Sequence, residues 1–262
     1  MRLDKMLSNM GYGTRSEIKK MCRQGMVTVN GQEVKKPDHH LDPNLDQVCL
    51  NGQAVRYREY IYLIMNKPAG CVSATFDKYD QTVIDLIDPE YLAFDPFPVG
   101  RLDKDTEGLL LVAKNEFTMK ALMEDFKKRR VKKIYKCIVH GLLREPLTIN
   151  DPIGRSKVDR KKMTTYSEGK KAISHVRPLA WADNKSLLEV SIVTGRTHQI
   201  RVHLKSIGHS IIGDQTYSHQ PFYGLDSQAL VASQMSFIHP RSHHLLMVQR
   251  PSPEYFDTIM KK

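Results

Sequence analysis

The sequence predicts an α+β protein: a small unit of two helices and a hairpin, then a larger, strand-rich domain. Three observations predict it. Within the first sixty residues, two apolar stripes at helical spacing precede alternating valines around an Asn-Gly pair. Further on, Leu109 to Ala113 is wholly apolar and bounded by Gly108 and Lys114-Asn115, the pattern of a buried strand. A length of 262 residues allows two domains with a real core.

Leu3, Met6, Leu7 and Met10 make the first helical stripe, and Gly11 can end it. Thr14 opens a second helix, with Glu17 three residues on in a capping-box pattern. Ile18, Met21 and Cys22 are its apolar face and Gly25 its C-terminal stop. Val27 and Val29 alternate with polar residues, Asn30-Gly31 is a tight-turn signal, and Val34 resumes the strand. Residues 35–59 are polar, with Pro37, Pro43 and the apolar positions Val48, Leu50 and Val55. They complete the small domain and reach a linker near Arg56-Tyr57-Arg58-Glu59. The expected division is therefore 1–59 and 60–262.

In the second domain, Tyr60 to Met65 reads as a strand stopped by Asn66-Lys67-Pro68-Ala69-Gly70. Thr82, Val83, Leu86 and Ile87 suggest a short helix, and Pro96 and Pro98 break the chain before Val99-Gly100. Five formal charges then fall between Arg101 and Gly108, a charged loop attached to the buried strand. Loops held on rigid elements are where chemistry is commonly placed. Asn115 can cap a helix carrying Phe117, Ala121, Leu122 and Phe126, and Cys137-Ile138-Val139 is a further strand. Leu188, Val190 and Ile192 alternate as another. Thr197 can cap a helix with the stripe Ile200, Leu204 and Ile207, ended by Gly208. Arg201 would lie off that stripe, toward the domain edge. Leu245 to Val248 is strand-like, before a polar tail.

Forty Lys and Arg against 29 Asp and Glu give a net charge of +11, which suits a polyanionic partner. Arg2, Lys5, Arg15, Lys19, Lys20 and Arg23 lie on the polar faces of the first unit, where phosphates could dock. Seven basic residues occupy the ten positions from Lys127 to Lys136, around Tyr135. Cations that hold phosphates beside a ring that stacks a base suit RNA. A second basic segment runs from Arg155 to Lys171. For the first two clusters the rival reading, which carries less weight, is a solvated face.

Other classes fit less well. Asp103, Asp105, Glu107 and Gly108 imitate a calcium loop, but its twelfth position is Lys114 and a strand follows. His198 and His203 are five apart and share no helix face, so no metal is expected. Cys22, Cys49, Cys71 and Cys137 form no Cys-x-x-Cys pair. The first residues hold no apolar signal core, and no run approaches a membrane span. The expected setting is cytoplasmic, without membrane contact, for a monomer.

The segment from Arg2-Leu3-Asp4-Lys5 through Gly13-Thr14-Arg15-Ser16-Glu17 to Gly25-Met26-Val27-Thr28-Val29-Asn30-Gly31 resembles the small RNA-binding module first described in a small-subunit ribosomal protein. Four later blocks resemble bacterial pseudouridine synthases that modify ribosomal and transfer RNA. They are Asn66-Lys67-Pro68 with Gly70, Gly100-Arg101-Leu102-Asp103 with its Leu-rich strand, Lys133-Ile134-Tyr135, and Thr194 to His203. The resemblance spans about residues 60 to 250. Its subgroup is mixed. The leading module, Gly100 and Val72 to Thr75 resemble the small-subunit (RsuA-like) group. Asp151-Pro152-Ile153-Gly154, the fourth block and Gly213-Asp214 with Tyr217 resemble the RluA-like group, which more often has His at the position of Gly100.

The resemblance implies a mixed, largely antiparallel sheet with an active cleft across its middle, and uridine isomerisation without metal or cofactor. It implies that Asp103 is the essential carboxylate, as nucleophile or as base. Arg101 would fill the space left by a flipped base. Tyr135 would stack on that base, and Arg201 would pair with Asp103. Asp105 and Glu107 would structure the loop. The expected partner is structured RNA, with small-subunit rRNA slightly ahead of large-subunit rRNA or tRNA. The alternatives are a non-catalytic RNA-binding or assembly protein and, less well matched to the basic clusters, a sugar glycosidase.

Overall fold

The computed structural model describes residues 1–55, 57, 62–92, 96–113, 116–220, 222–240 and 242–261. The small unit comprises α1 (Leu3–Asn9), α2 (Arg15–Arg23), β1 (Val27–Val29), β2 (Gln32–Glu33), β3 (Val48–Leu50) and β4 (Gln53–Val55). Its sheet runs β2-β1-β3-β4, antiparallel throughout. The capping box forms: Thr14 N–H donates to Glu17 Oε2 at 2.7 Å, and Glu17 N–H donates to Thr14 Oγ1 at 3.3 Å. Asn30 and Gly31 both take positive φ, 51° and 79°, which a two-residue turn of the primed type requires. Asn51 (50°) and Gly52 (78°) repeat the device. That second hairpin is a correction, since only one was expected. Its signal was carried by Asn51-Gly52, between strands too short to show alternation. Leu3, Met6, Leu7, Ile18, Cys22, Val27 and Val48 form this unit's own core.

The larger part contains β5 (Tyr62–Lys67), α3 (Pro89–Leu92), β6 (Phe97–Val99), β7 (Glu107–Ala113), α4 (Glu116–Lys127), β8 (Lys132–His140), β9 (Leu147–Ile149), β10 (Ile153–Arg155), β11 (Met163–Thr165), β12 (Ser174–Ala182), β13 (Lys185–Ile192), α5 (Gln199–Ser206), β14 (Leu230–Ile238), β15 (Leu245–Gln249) and α6 (Glu254–Lys261). The main sheet runs β5-β7-β14-β8-β13-β12-β9, with β6 beside β7 and β15 beside β14. Among the described residues, β7 meets β14 in parallel and the sheet's other pairs are antiparallel. The fold is α+β, as expected.

One register matters for function. Gly108 faces Ala232, Ala232 faces Tyr135, and Tyr135 faces Val190. Strands lie about 4.8 Å apart, so this row sets Tyr135 two strands from the foot of the charged loop. Gly108 makes the row possible. Its φ is +119°, and a Cβ there would stand 2.4 Å from the Ala232 carbonyl oxygen.

Several expected elements differ. Residues 82–87 form a turn, because Thr82 N–H and hydroxyl both donate to Asp85 Oδ2, at 2.8 and 2.9 Å, and close it locally. Pro98 does not break the chain but sits in edge strand β6, where a missing donor is tolerated. Asn66 and Lys67 continue β5 rather than stopping it. The C-terminal tail is helix α6, with Phe256 and Ile259 buried and Lys185 Nζ donating to the Ile259 carbonyl at 2.8 Å. Arg56, Arg58, Glu59, Tyr60, Lys114 and Asn115, and the side chain of Phe117, lie outside the described residues.

Candidate active site

The loop from Arg101 to Thr106 is held from several sides. Ser73 Oγ donates to the Leu102 carbonyl at 3.0 Å and accepts the Leu102 N–H at 3.1 Å. Lys67 Nζ, fully buried, donates to the carbonyls of Pro68 and Lys104 at 2.8 and 2.7 Å. Burial pulls the pKa of Lys67 below its usual value, against the pull of Asp105 and Asp103. The Thr106 N–H donates to the Asp103 carbonyl at 3.1 Å, and Gln228 Nε2 donates to Thr106 Oγ1 at 3.1 Å. Glu107 at the head of β7 accepts from the Tyr255 hydroxyl at 2.5 Å and from Arg250 at 3.3 Å. Asp103 is half-buried, and among the described residues its carboxylate takes no hydrogen bond from the loop that carries it.

Arg101, Asp103, Tyr135 and Arg201 line one cavity of about 390 Å³. Arg201 is buried, not at the domain edge as its helical position suggested. The reason is Asp214, which is fully buried and accepts from Arg201 Nε and Nη2 at 2.7 and 2.8 Å. Asp214 Oδ1 also accepts the N–H groups of Thr216 and Tyr217 at 3.0 and 3.1 Å. Arg201 Nη1 reaches Asp103 Oδ2 at 3.6 Å, so its tight fork belongs to Asp214 and its outer nitrogen faces Asp103. Burial lowers the Arg201 pKa, and the hydrogen bonds and charge of Asp214 outweigh it, leaving the pKa raised. Burial first, and the Asp103 charge second, push the Tyr135 phenol well above its ordinary value, so it stays a neutral hydroxyl.

Thr197 does not cap α5. His198 takes the N-cap position with φ of 56° and no side-chain capping bond, while Gln199 Oε1 accepts the Arg196 N–H at 3.0 Å. This turn places His198 in the cavity wall, with Nδ1 2.8 Å from the Tyr217 hydroxyl. That hydroxyl accepts the Met163 N–H at 2.9 Å, tying the basic hairpin β10–β11 to the site. His203 points elsewhere, to Ser174 Oγ and the Asp151 carbonyl, both at 2.9 Å. Of the basic run, Arg129 and Lys133 line the cavity, while Arg130 pairs with Asp125. Gly100 has φ of +88°, and a Cβ there would stand 3.0 Å from the Phe126 ring. That ring takes the space a larger residue at position 100 would need.

On the small unit, Arg2, Lys5, Arg15, Lys19, Lys20 and Arg23 are all exposed. Arg2, Arg15 and Lys19 border one open hollow with Ser16 and Asp4. Arg2 is committed in part to Asp4, with Nε and Nη2 at 3.0 and 2.7 Å.

The model of the RNA pseudouridylate synthase family matches residues 61–206, and that of the S4 domain matches residues 1–46. The chain belongs to the RNA pseudouridine synthases. It is an isomerase of uridine in RNA with an S4 RNA-binding domain in front. Among its relatives, an uncharacterized RNA pseudouridine synthase of Bacillus subtilis, YtzG, is 37% identical over 81% of this chain and 84% of its own. A ribosomal large subunit pseudouridine synthase D of Zymomonas mobilis is 35% identical over 76% of this chain and 69% of its own. The solved structure of human RNA pseudouridylate synthase domain containing 1 has a TM-score of 0.61 at 27% identity, covering 73% of this chain and 80% of that one. Among the described residues, no helix is long and apolar enough to cross a membrane.

The sequence motifs contained Lys67, His198, Asp214 and Tyr217 but gave them no role. Asp214 could have been suspected from Gly213 before it: φ is +78°, and a Cβ would stand 2.2 Å from the Ser227 carbonyl oxygen. A glycine fixed by backbone crowding next to a buried carboxylate marks a built corner. The pairing partner of that carboxylate, thirteen residues earlier, has no signature in spacing.

Proposed function

We propose that this enzyme isomerises a uridine of ribosomal RNA through Asp103. The observation that carries this is a carboxylate at a cavity wall, 3.6 Å from a guanidinium that a second carboxylate holds in place. The target nucleotide leaves its stack, at a cost of about a few kcal/mol, and its base enters beside Tyr135. Arg101, exposed at the cavity, takes the space the base vacates. The N1–C1′ bond breaks, the uracil turns and C5 bonds to C1′; the C5 proton is lost to solvent and the freed N1 takes one up, so the product is an isomer of the substrate. Asp103 acts at C1′ or C6 as nucleophile, or as base on the sugar. Tyr135 packs against the ring, and its neutral hydroxyl can take the C5 proton only by handing on its own in the same step, as a relay. Arg201 faces Asp103 and aims it.

Residues 1–59 would form the RNA-binding domain and residues 60–262 the catalytic one. Separate hydrophobic cores and the separate matched segments support that division. Arg2, Lys5, Arg15, Lys19, Lys20 and Arg23 would hold phosphates. The relative named for the large ribosomal subunit makes large-subunit rRNA the first substrate to test. The expectation of small-subunit RNA rests on Gly100, on Val72 to Thr75 and on a leading module that both groups can carry.

The test is release of tritium from C5-labelled transcripts of large-subunit rRNA, small-subunit rRNA and tRNA. We expect release from one rRNA by the wild type and none by Asp103→Ala. Equal release by both proteins would sink the assignment.

A further inference from the structure

Phe76 and Tyr79 are 81% and 86% exposed, on a turn that is nevertheless well fixed. Asp77 Oδ1 accepts the N–H groups of Tyr79 and Asp80 at 2.9 and 3.0 Å, which closes the turn. At its base, Val72 N–H donates to the Gln81 carbonyl and Val83 N–H to the Val72 carbonyl, both at 2.9 Å. The turn is clipped to the catalytic loop twice, on either side of Asp103. Ser73 holds Leu102 through both backbone groups, and Asp80 pairs with Lys104 at 2.7 Å. Two exposed aromatic rings are thus carried on a turn clipped to the loop that lines the cavity, while contributing almost nothing to the core. Lys78 Nζ lies 5.3 Å from the centre of the Tyr79 ring, and the exposed Arg101 and Lys104 belong to the same neighbourhood.

We propose that Phe76 and Tyr79 form a stacking platform for unpaired nucleotides flanking the target uridine. The proposal rests on the reading of the chain as an RNA-modifying enzyme and extends it to how the flanking strand is held. A flipped uridine leaves neighbours whose faces are newly open, and a ring covers any base face without reading its edge. Lys78 and Arg101 neutralise the phosphates of the same stretch, while Lys104 is held by Asp80. The combination of rings and cations fits single-stranded RNA better than an apolar protein partner, for which Lys78 and Lys104 would be a desolvation cost.

The test uses the full chain and the rRNA transcript that the wild type binds best. Filter binding over a range of KCl compares the wild type with the double variants F76A/Y79A, F76L/Y79L and F76W/Y79W. We expect the alanine and leucine pairs each to weaken binding about tenfold or more, with an unchanged slope of affinity against salt, because no cation is lost. The tryptophan pair should bind as the wild type does, and its added fluorescence should be quenched by the transcript beyond any change of Trp181 alone. Affinity of the alanine pair within about twofold of wild type would overturn the platform, and so would full binding by the leucine pair. Self-association of the wild type that the alanine pair abolishes, with RNA binding unaltered, would assign the patch to a second copy instead. Binding is read independently of catalysis. A wild type that releases no tritium but shows this pattern keeps the platform and loses the enzyme assignment; an active wild type with an unaffected alanine pair loses the platform alone.

Discussion

Asp103 and Asp214 both face Arg201, and their surroundings assign them opposite consequences. Asp103 is 26% exposed at its side chain and, among the described residues, has one ion pair, at 3.6 Å. Asp214 is fully buried and accepts two bonds from Arg201 and two from backbone N–H groups. Removing Asp214 leaves a buried guanidinium without its partner, which costs about 3–5 kcal/mol. Asp214→Ala should therefore unfold at markedly lower urea and lose activity with its fold. Asp103→Asn breaks one weak, partly solvated pair, so its stability should stay within about 1 kcal/mol of wild type. Its tritium release should nevertheless fall at least about a thousandfold, the scale of losing an essential nucleophile or base. Urea titration beside the tritium assay separates the two, and comparable destabilisation by both variants would contradict the geometry.

Gly108 shows how an element serves the site. A methyl there would meet the Ala232 nitrogen and oxygen at 2.6 and 2.4 Å, both backbone, and φ of +119° adds strain. Gly108→Ala should cost about 2–5 kcal/mol from overpacking and backbone strain together. It should also shift the loop away from Tyr135, so that kcat falls more than binding. The denaturation midpoint and a kcat–KM comparison check this. From the sequence, this glycine was visible only as punctuation before a strand. Elements written in local chemistry were legible: the Thr14–Glu17 box, the Asn30-Gly31 turn, the apolar run of β7 and the alternation of β13. The unread elements depend on distant partners. Edge strand β6 exists because β7 offers it a ladder, and α6 because Lys185 and the core receive it. The charged loop was legible in its residues, and the grouping of Asp103 with Tyr135 and Arg201 through resemblance to a family, whereas Arg201's commitment to Asp214 was not. Helical position alone sends Arg201 outward, and only a fully buried carboxylate thirteen residues later draws it in.

At the scale of the whole molecule, pH and domain structure lead to two expectations. Burial holds His140, His198 and His203 below the ordinary histidine value of 6.5. The unfolded chain then binds more protons than the folded one in the window below 6.5, so stability is complete above that pH and declines as pH falls toward the folded values. The urea midpoint should drop between about pH 7.5 and pH 5.5, and His140→Gln should reduce the drop. The second expectation concerns the leading unit. Its core of Leu3, Leu7, Ile18, Cys22, Val27 and Val48 is its own, and the main core draws on none of these residues. Deleting residues 1–59 should therefore leave the far-ultraviolet dichroism and cooperative unfolding of the remainder largely intact. It also removes the exposed Arg2, Lys5, Arg15, Lys19, Lys20 and Arg23. Each phosphate contact contributes a counterion-release increment of about 0.7–0.9 to the slope of log affinity against log salt. The truncated protein should therefore bind rRNA more weakly at low salt and show a shallower slope. An unchanged slope would mean that those cations face solvent in the complex and that the catalytic domain alone grips the RNA.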